Sequence, residues 1–152
     1  MKKLLAAVAL VGLIAVGGRA DNPKSNQPNQ SSKKVKALQK ERLATLKEIA
    51  AESENVFRHG RCPPEDVWQA KLLVLRAELE LCDSDRERVA VHEKIVTLAK
   101  ETEEMQTLRY KAARLSHSDL LTAKANRLEA EVALERAKAK ASAPKKGPEP
   151  SR

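Results

Sequence analysis

The residues with the most chemical potential gather in one stretch, Phe57-Arg-His-Gly-Arg-Cys-Pro-Pro-Glu-Asp66. Cys62 is one of two cysteines, and the other, Cys82, stands twenty residues further on. A disulfide, a metal site on His59 and Cys62, and an Arg–Asp ion pair are the chemistries these residue types allow. Spacing removes two of them. With Pro64 to Cys82 helical, the two sulfurs lie about 27 Å apart along the axis, whereas a disulfide needs Cα atoms within about 7 Å. Two ligands do not make a zinc site, and His92 and His117 fall far along the chain. Cys82 continues an apolar helix face and reads as a small buried residue. Cys62, at a turn, is open to an intermolecular disulfide, a free thiol or a crevice position. There is no nucleophile elbow, no carboxylate pair in a pocket-forming fold and no glycine-rich phosphate loop. The expectation is a protein that is not an enzyme and has no cofactor or metal.

The same pattern returns 53 residues later, as Tyr110-Lys-Ala-Ala-Arg-Leu-Ser-His-Ser-Asp-Leu-Leu-Thr-Ala-Lys124. Arg61 and Arg114, Asp66 and Asp119, Ala70 and Ala123, and Lys71 and Lys124 are identical pairs. The register extends outward, Lys47-Glu48 matching Lys100-Glu101 and Leu75-x-Ala77-Glu78 matching Leu128-x-Ala130-Glu131. An internal repeat of this length points to a duplicated supersecondary unit. Each copy reads as a helix end, a tight turn and a helix start. Arg61, Asp66, Arg114 and Asp119 then have two readings, a cap with a local ion pair at each turn, or a tip on which another helical hairpin docks.

Helices must position these turns. Val35, Leu38, Leu46, Ile49, Ala50 and Phe57 recur at helical spacing until Gly60 and Pro63-Pro64 stop the run. A seam of Trp68, Leu72, Leu75, Leu79 and Cys82 follows, then Val91, Ile95, Leu98, Met105, Leu108 and Ala112. No Gly or Pro occurs between Val67 and Ala112, which predicts one helix of about 49 residues, on the order of 70 Å long. The last helix, from Ser118 to about Ala141, carries Leu121, Ala125, Leu128 and Val132 on one seam, with Ser116 and Asp119 placed to cap it. The fold class is therefore all-α, as elongated antiparallel hairpins in which two short helices lie end to end along a long central one. A break near 83–86 is the alternative and would allow a compact four-helix bundle.

Outside residues 35–141, the helical-hairpin domain, the chain changes character. Residues 1–20 have a basic start, an apolar run and small residues before Asp21, the pattern of a cleaved signal peptide that makes the protein periplasmic or secreted. Residues 21–34 hold nothing apolar and read as a disordered linker, and residues 142–152 as a disordered basic tail. The formal net charge of +8 sits largely in these ends. Between Ala37 and Ala137 there are 17 Lys/Arg against 19 Asp/Glu, a net of −2, which argues against nucleic acid as a partner.

Tyr110, Ala113, Leu115, Ser116, Asp119, Leu120, Leu121 and Ala123, with Phe57, Gly60, Asp66, Val67 and Ala70 in the first copy, resemble the helix-turn-helix signature of TolC-type outer-membrane efflux proteins. The resemblance covers roughly residues 35–141. It implies periplasmic helical hairpins, one long helix beside two stacked shorter ones, and association with an envelope efflux or secretion assembly. The chain lacks the strand segments from which that family builds its barrel, and it is about a third of the usual length. Expected partners are further copies or other envelope helical-hairpin proteins, with membrane contact only through partners or the basic tail. A periplasmic coiled-coil chaperone or cell-wall spacer is the second functional expectation.

Overall fold

The computed structural model describes residues 28–143, which form four helices and no strand: α1 (Pro28–Arg58), α2 (Pro64–Leu81), α3 (Asp85–Lys111) and α4 (His117–Ser142). The chain is all-α. Residues 1–20, read above as a signal peptide, residues 21–27 and residues 144–152 lie outside the described residues. Residues 28–34 do not behave as a spacer. They are helical, α1 opening at Pro28, seven residues earlier than apolar periodicity indicates.

The long central helix is interrupted, and the break falls where the alternative reading put it. Cys82 leaves the helical region at φ −65° and ψ 121°. Ser84 then caps α3, its hydroxyl accepting from the Glu87 N–H at 3.2 Å while Glu87 accepts from the amides of Asp83 (2.9 Å) and Ser84 (3.1 Å). Ser84-x-x-Glu87 is a capping box, which ends one helix by satisfying the orphan donors of the next. Weak helix propensities of Asp and Ser do not by themselves predict this stop. The reciprocal hydrogen bonds explain it.

The break folds α3 back along α2 instead of continuing past it. Glu65 at the start of α2 meets Gln106 and Arg109 near the end of α3, and Glu78 meets Lys94, so the two run antiparallel. The stacked arrangement of short helices along one long helix is therefore not adopted. Nor is a closed bundle. Helices pack only on their chain neighbours, α1 on α2, α2 on α3 and α3 on α4. No Cα of α1 comes within 8 Å of one in α3 or α4, nor any of α2 within that distance of α4.

The duplication is visible in the bonds. Lys47–Glu78 (3.2 Å) ties α1 to α2, and the equivalent Lys100–Glu131 (3.5 Å) ties α3 to α4. Ala70 and Ala77 are buried, and so are their counterparts Ala123 and Ala130, the last in a cluster with Val96 of α3. Small side chains at these four places let the backbones of each hairpin approach closely. The chain is thus two copies of one helical hairpin, joined at Cys82–Ser84.

Burial departs from the expected seams. Trp68, Leu72, Leu75 and Leu79 are half-buried as a seam should be, but on the side of α2 toward α3. On α4, however, Leu121 (52% exposed), Leu128 (46%) and Val132 (49%) face outward, and Ala123, Ala130 and Leu134 face α3. At 100° per residue these two sets lie on nearly opposite sides of the helix. Val96, Ala130 and Leu134 form the core cluster, with Val89, Ile95 and Ala99 against it. No large side chain is completely enclosed among the described residues.

Candidate docking surfaces

The two repeated turns share one backbone solution. Gly60 (φ 67°) and Ala113 (φ 55°) occupy equivalent left-handed positions. The Gly60 N–H donates to Phe57 O (2.8 Å) and the Arg61 N–H to Val56 O (3.1 Å); Ala113 donates to Tyr110 O and Arg114 to Arg109 O, each at 2.9 Å. This pair of bonds is a Schellman stop, which uses up two carbonyls left open at a helix end. Arg61 and Arg114 are thus fixed through their amides, and their exposed guanidinium groups are free to act outward. Asp66 and Asp119 both stand third in the following helix, where a carboxylate suits the positive end of the dipole. Ser116 caps α4, accepting from the Asp119 N–H at 3.1 Å and donating to its carboxylate at 2.6 Å. Pro63 takes that place before α2 without a side-chain cap. The expected local ion pairs are not formed: among the described residues, Arg61 does not bridge to Asp66 nor Arg114 to Asp119.

Because α2 and α3 are antiparallel, both turns stand at the same end of the molecule. Glu65 joins them, accepting from Gln106 Nε2 (3.2 Å) and from Arg109. Burial pushes the Glu65 carboxyl up, but its own amide, Gln106 and Arg109 outweigh this and hold it below the usual range. Its Oε2 is buried with no hydrogen-bond partner. Arg58, Arg61, Lys111 and Arg114 are exposed around this end. Tyr110 rests on His117, ring centroids 5.6 Å apart.

The cysteines are free, at opposite ends of α2. Cys62 is half-buried rather than exposed, its thiol directed to Ser53 O at 3.6 Å on α1. Cys82 turns back to Glu78 O at 3.3 Å, and burial, helped by the charge of Glu87, pushes its thiol up. The His59 ring meets Asn55 O at 2.7 Å through Nδ1. Among the described residues no three His, Cys, Asp or Glu side chains stand together as a metal site. No described helix is long and apolar enough to cross a membrane.

What the fold does leave open is helix-sized space. A groove of about 710 Å³ runs between α2, α3 and α4. Trp68, Leu72, Leu79, Ile95, Leu98 and Ala130 supply its apolar surface, and Arg76, Gln106, Asn126 and Glu129 supply polar groups. A second groove of about 480 Å³ lies between α1, α2 and α3, where Val74, Leu75 and Leu98 are flanked by Lys47, Lys71, Lys94 and Glu101. The grooves lie where α2 and α4, and α1 and α3, keep their Cα atoms more than 8 Å apart. Periodicity finds the α2 residues that line the larger groove but not these gaps, because the gaps depend on where α2 ends. Fold and surfaces together define a duplicated helical hairpin with open faces. Comparison with protein-family models, curated proteins and solved structures gives no match for this chain.

Proposed function

We propose that this chain is an exported, non-enzymatic helical-hairpin protein that works by helix–helix packing, receiving a helix or hairpin of an envelope partner. The observation that carries this is the groove between α2, α3 and α4, apolar along its floor and open along its length. A helix laid there would bury Trp68, Leu72 and Leu79, each now half-exposed to water. Export rests on the pattern of residues 1–20. The resemblance of the two turns to TolC-type proteins suggests the narrower form, a partner within an efflux or secretion assembly. The continuous long helix of that resemblance is absent, so this form rests on the turns, whose Arg61, Asp66, Arg114 and Asp119 would then contact the partner's own hairpin. The same groove also favours a second reading, a chaperone-like clamp for unfolded clients.

Trp68 is the sole tryptophan and stands in the groove, so its emission reports occupancy. A photo-crosslinker at Gln69 or Asn126 should trap one envelope helical protein, that adduct should vanish with Leu72→Glu, and binding of the isolated partner should blue-shift Trp68. Many unrelated, denaturation-dependent adducts would favour the clamp. No adduct and an unmoved Trp68 spectrum would overturn both readings.

A further inference from the structure

The repeat makes the outer stripe of α4 interpretable. Leu121, Ala125, Leu128 and Val132 are the equivalents of Trp68, Leu72, Leu75 and Leu79, the face that α2 sets against α3. In α2 that face is half-covered. In α4 it is exposed, and no described helix repeats the contact against it. The mirror situation holds at the other edge. α1 is the counterpart of α3, and its Leu38 (54% exposed) and Ile49 (48%) correspond to Val91 and Thr102 on the α3 surface that meets α2. Among the described residues, one copy therefore carries an uncovered α2-type face on α4 and an uncovered α3-type face on α1.

We infer that the α4 stripe is covered by α1 of a second copy, repeating the α2–α3 contact between molecules. The inference rests on the reading of this chain as a helix-packing protein and names one partner, itself. Carrying the α2–α3 register across places Leu121 opposite Ile49 of the second copy and Val132 opposite Leu38. Charges agree with it. Lys124 comes opposite Glu48, as Lys71 (bonded to Glu54 at 2.6 Å) and Glu101 line one groove within a chain, and exposed Glu129 comes beside Arg42, which its own chain already holds through Glu80 at 2.8 Å. Two like-charge meetings result, Glu131 with Glu41 and Lys138 with Lys34; Glu131 is already held by Arg127 (2.7 Å) and Lys100 (3.5 Å), and Lys138 by Glu135 (3.0 Å). Repeat proteins stay soluble as single units when their terminal faces are polar, and the α4 face has no such cap. The α1 face carries Arg42 and Thr45 where α3 has Ile95 and Leu98, so the contact is weaker than its internal model and responds to concentration. Two different surfaces meet, so the contact is heterologous and propagates into short chains or a closed ring.

Leu128→Glu blocks the α4 face and Ile49→Glu the α1 face, and both sites are exposed in the single chain, so circular dichroism should be unchanged. By sedimentation equilibrium the unaltered protein should self-associate, and each variant alone should associate at least about tenfold more weakly. Mixed, the two variants should restore a one-to-one complex, since each keeps the face that the other lacks. Lys124→Glu should weaken association, and adding Glu48→Lys in the same chain should recover it. An unaltered protein that stays monomeric at high concentration overturns the inference. So does an Ile49→Glu variant that still dimerises fully, which is the signature of α4 pairing with α4. Self-association is read without Trp68 in the contact, so its failure leaves the groove experiment standing, and failure of the groove experiment leaves this one standing.

Discussion

Gly60 and Ala113 pose one backbone problem to two residue types. Both stand at positive φ, at the same place in a Schellman stop, but only glycine reaches that region without a Cβ penalty. Ala113→Gly should therefore stabilise the α3–α4 turn by about 1 kcal/mol. Gly60→Ala should destabilise the α1–α2 turn by a similar amount, about 1 kcal/mol. A Cβ built on Gly60 meets nothing within 4 Å, so no steric clash adds to that figure. Urea denaturation of the two single variants and the exchange double variant checks both signs; near-cancellation in the double variant is the expected result. The arginines that follow, Arg61 and Arg114, are poor stability determinants by contrast. Their amides are the bonded groups, so Arg114→Ala should leave the midpoint within about 0.5 kcal/mol of the parent.

Helix ends and helix-to-helix bonds set the behaviour of the elements. Ser84→Ala removes the hydroxyl that accepts from the Glu87 amide and should cost about 1 kcal/mol in stability, with the loss read as fraying at the start of α3 by amide exchange. The ion pairs between helices give a pH dependence. A hydrogen bond from Lys71 holds the Glu54 carboxyl below the usual range, and one from Lys36 does the same for Asp83. For Glu65 and Glu131, burial acts upward, but Gln106 and Arg109 in the one case and Arg127 and Lys100 in the other prevail downward. A carboxyl whose folded pKa is depressed contributes fully above its unfolded value and loses that contribution as pH falls through the folded one. The melting temperature should hold between pH 6 and 7 and decline below roughly pH 4.5. Most of these carboxylates are substantially solvated, so the decline should be a few degrees rather than outright unfolding. Arg127→Leu should lose part of this dependence, because Glu131 then keeps only Lys100.

At the scale of the whole molecule, the break after α2 decides the shape. Its longest helix, α1, has 31 residues, about 46 Å, and the others lie alongside in series rather than end to end. Small-angle scattering of a dilute sample should give a particle well short of the roughly 70 Å rod that an unbroken α2–α3 helix would produce. Replacing Asp83-Ser84 by two alanines removes the capping hydroxyl and favours a continuous helix; a longer maximum dimension would be the result. Dilution matters because self-association through α1 and α4 would lengthen the particle.

Much of this was legible in the residues alone. Gly60, the Pro63-Pro64 pair and Ser116 with Asp119 mark both hairpin turns because they act on their own backbone. The 53-residue repeat marks the duplication, because identical Lys47/Lys100 and Glu78/Glu131 make identical bonds. Helical class follows from composition and periodicity. The tertiary structure decided what those local rules leave degenerate. Ser84 and Glu87 carry a capping pattern, but a capping pattern inside a strong helical run becomes a stop only when folding back half-covers Trp68, Leu72 and Leu79 beside α3. Leu121, Leu128 and Val132 have the spacing of a core seam, and spacing cannot say which of two faces of α4 meets α3. The alanines at 123 and 130 win that contest because they allow closer helix approach, and the leucines are left outward. Which face of a helix is inside is a property of its neighbours, and among the described residues α4 has one helical neighbour, α3.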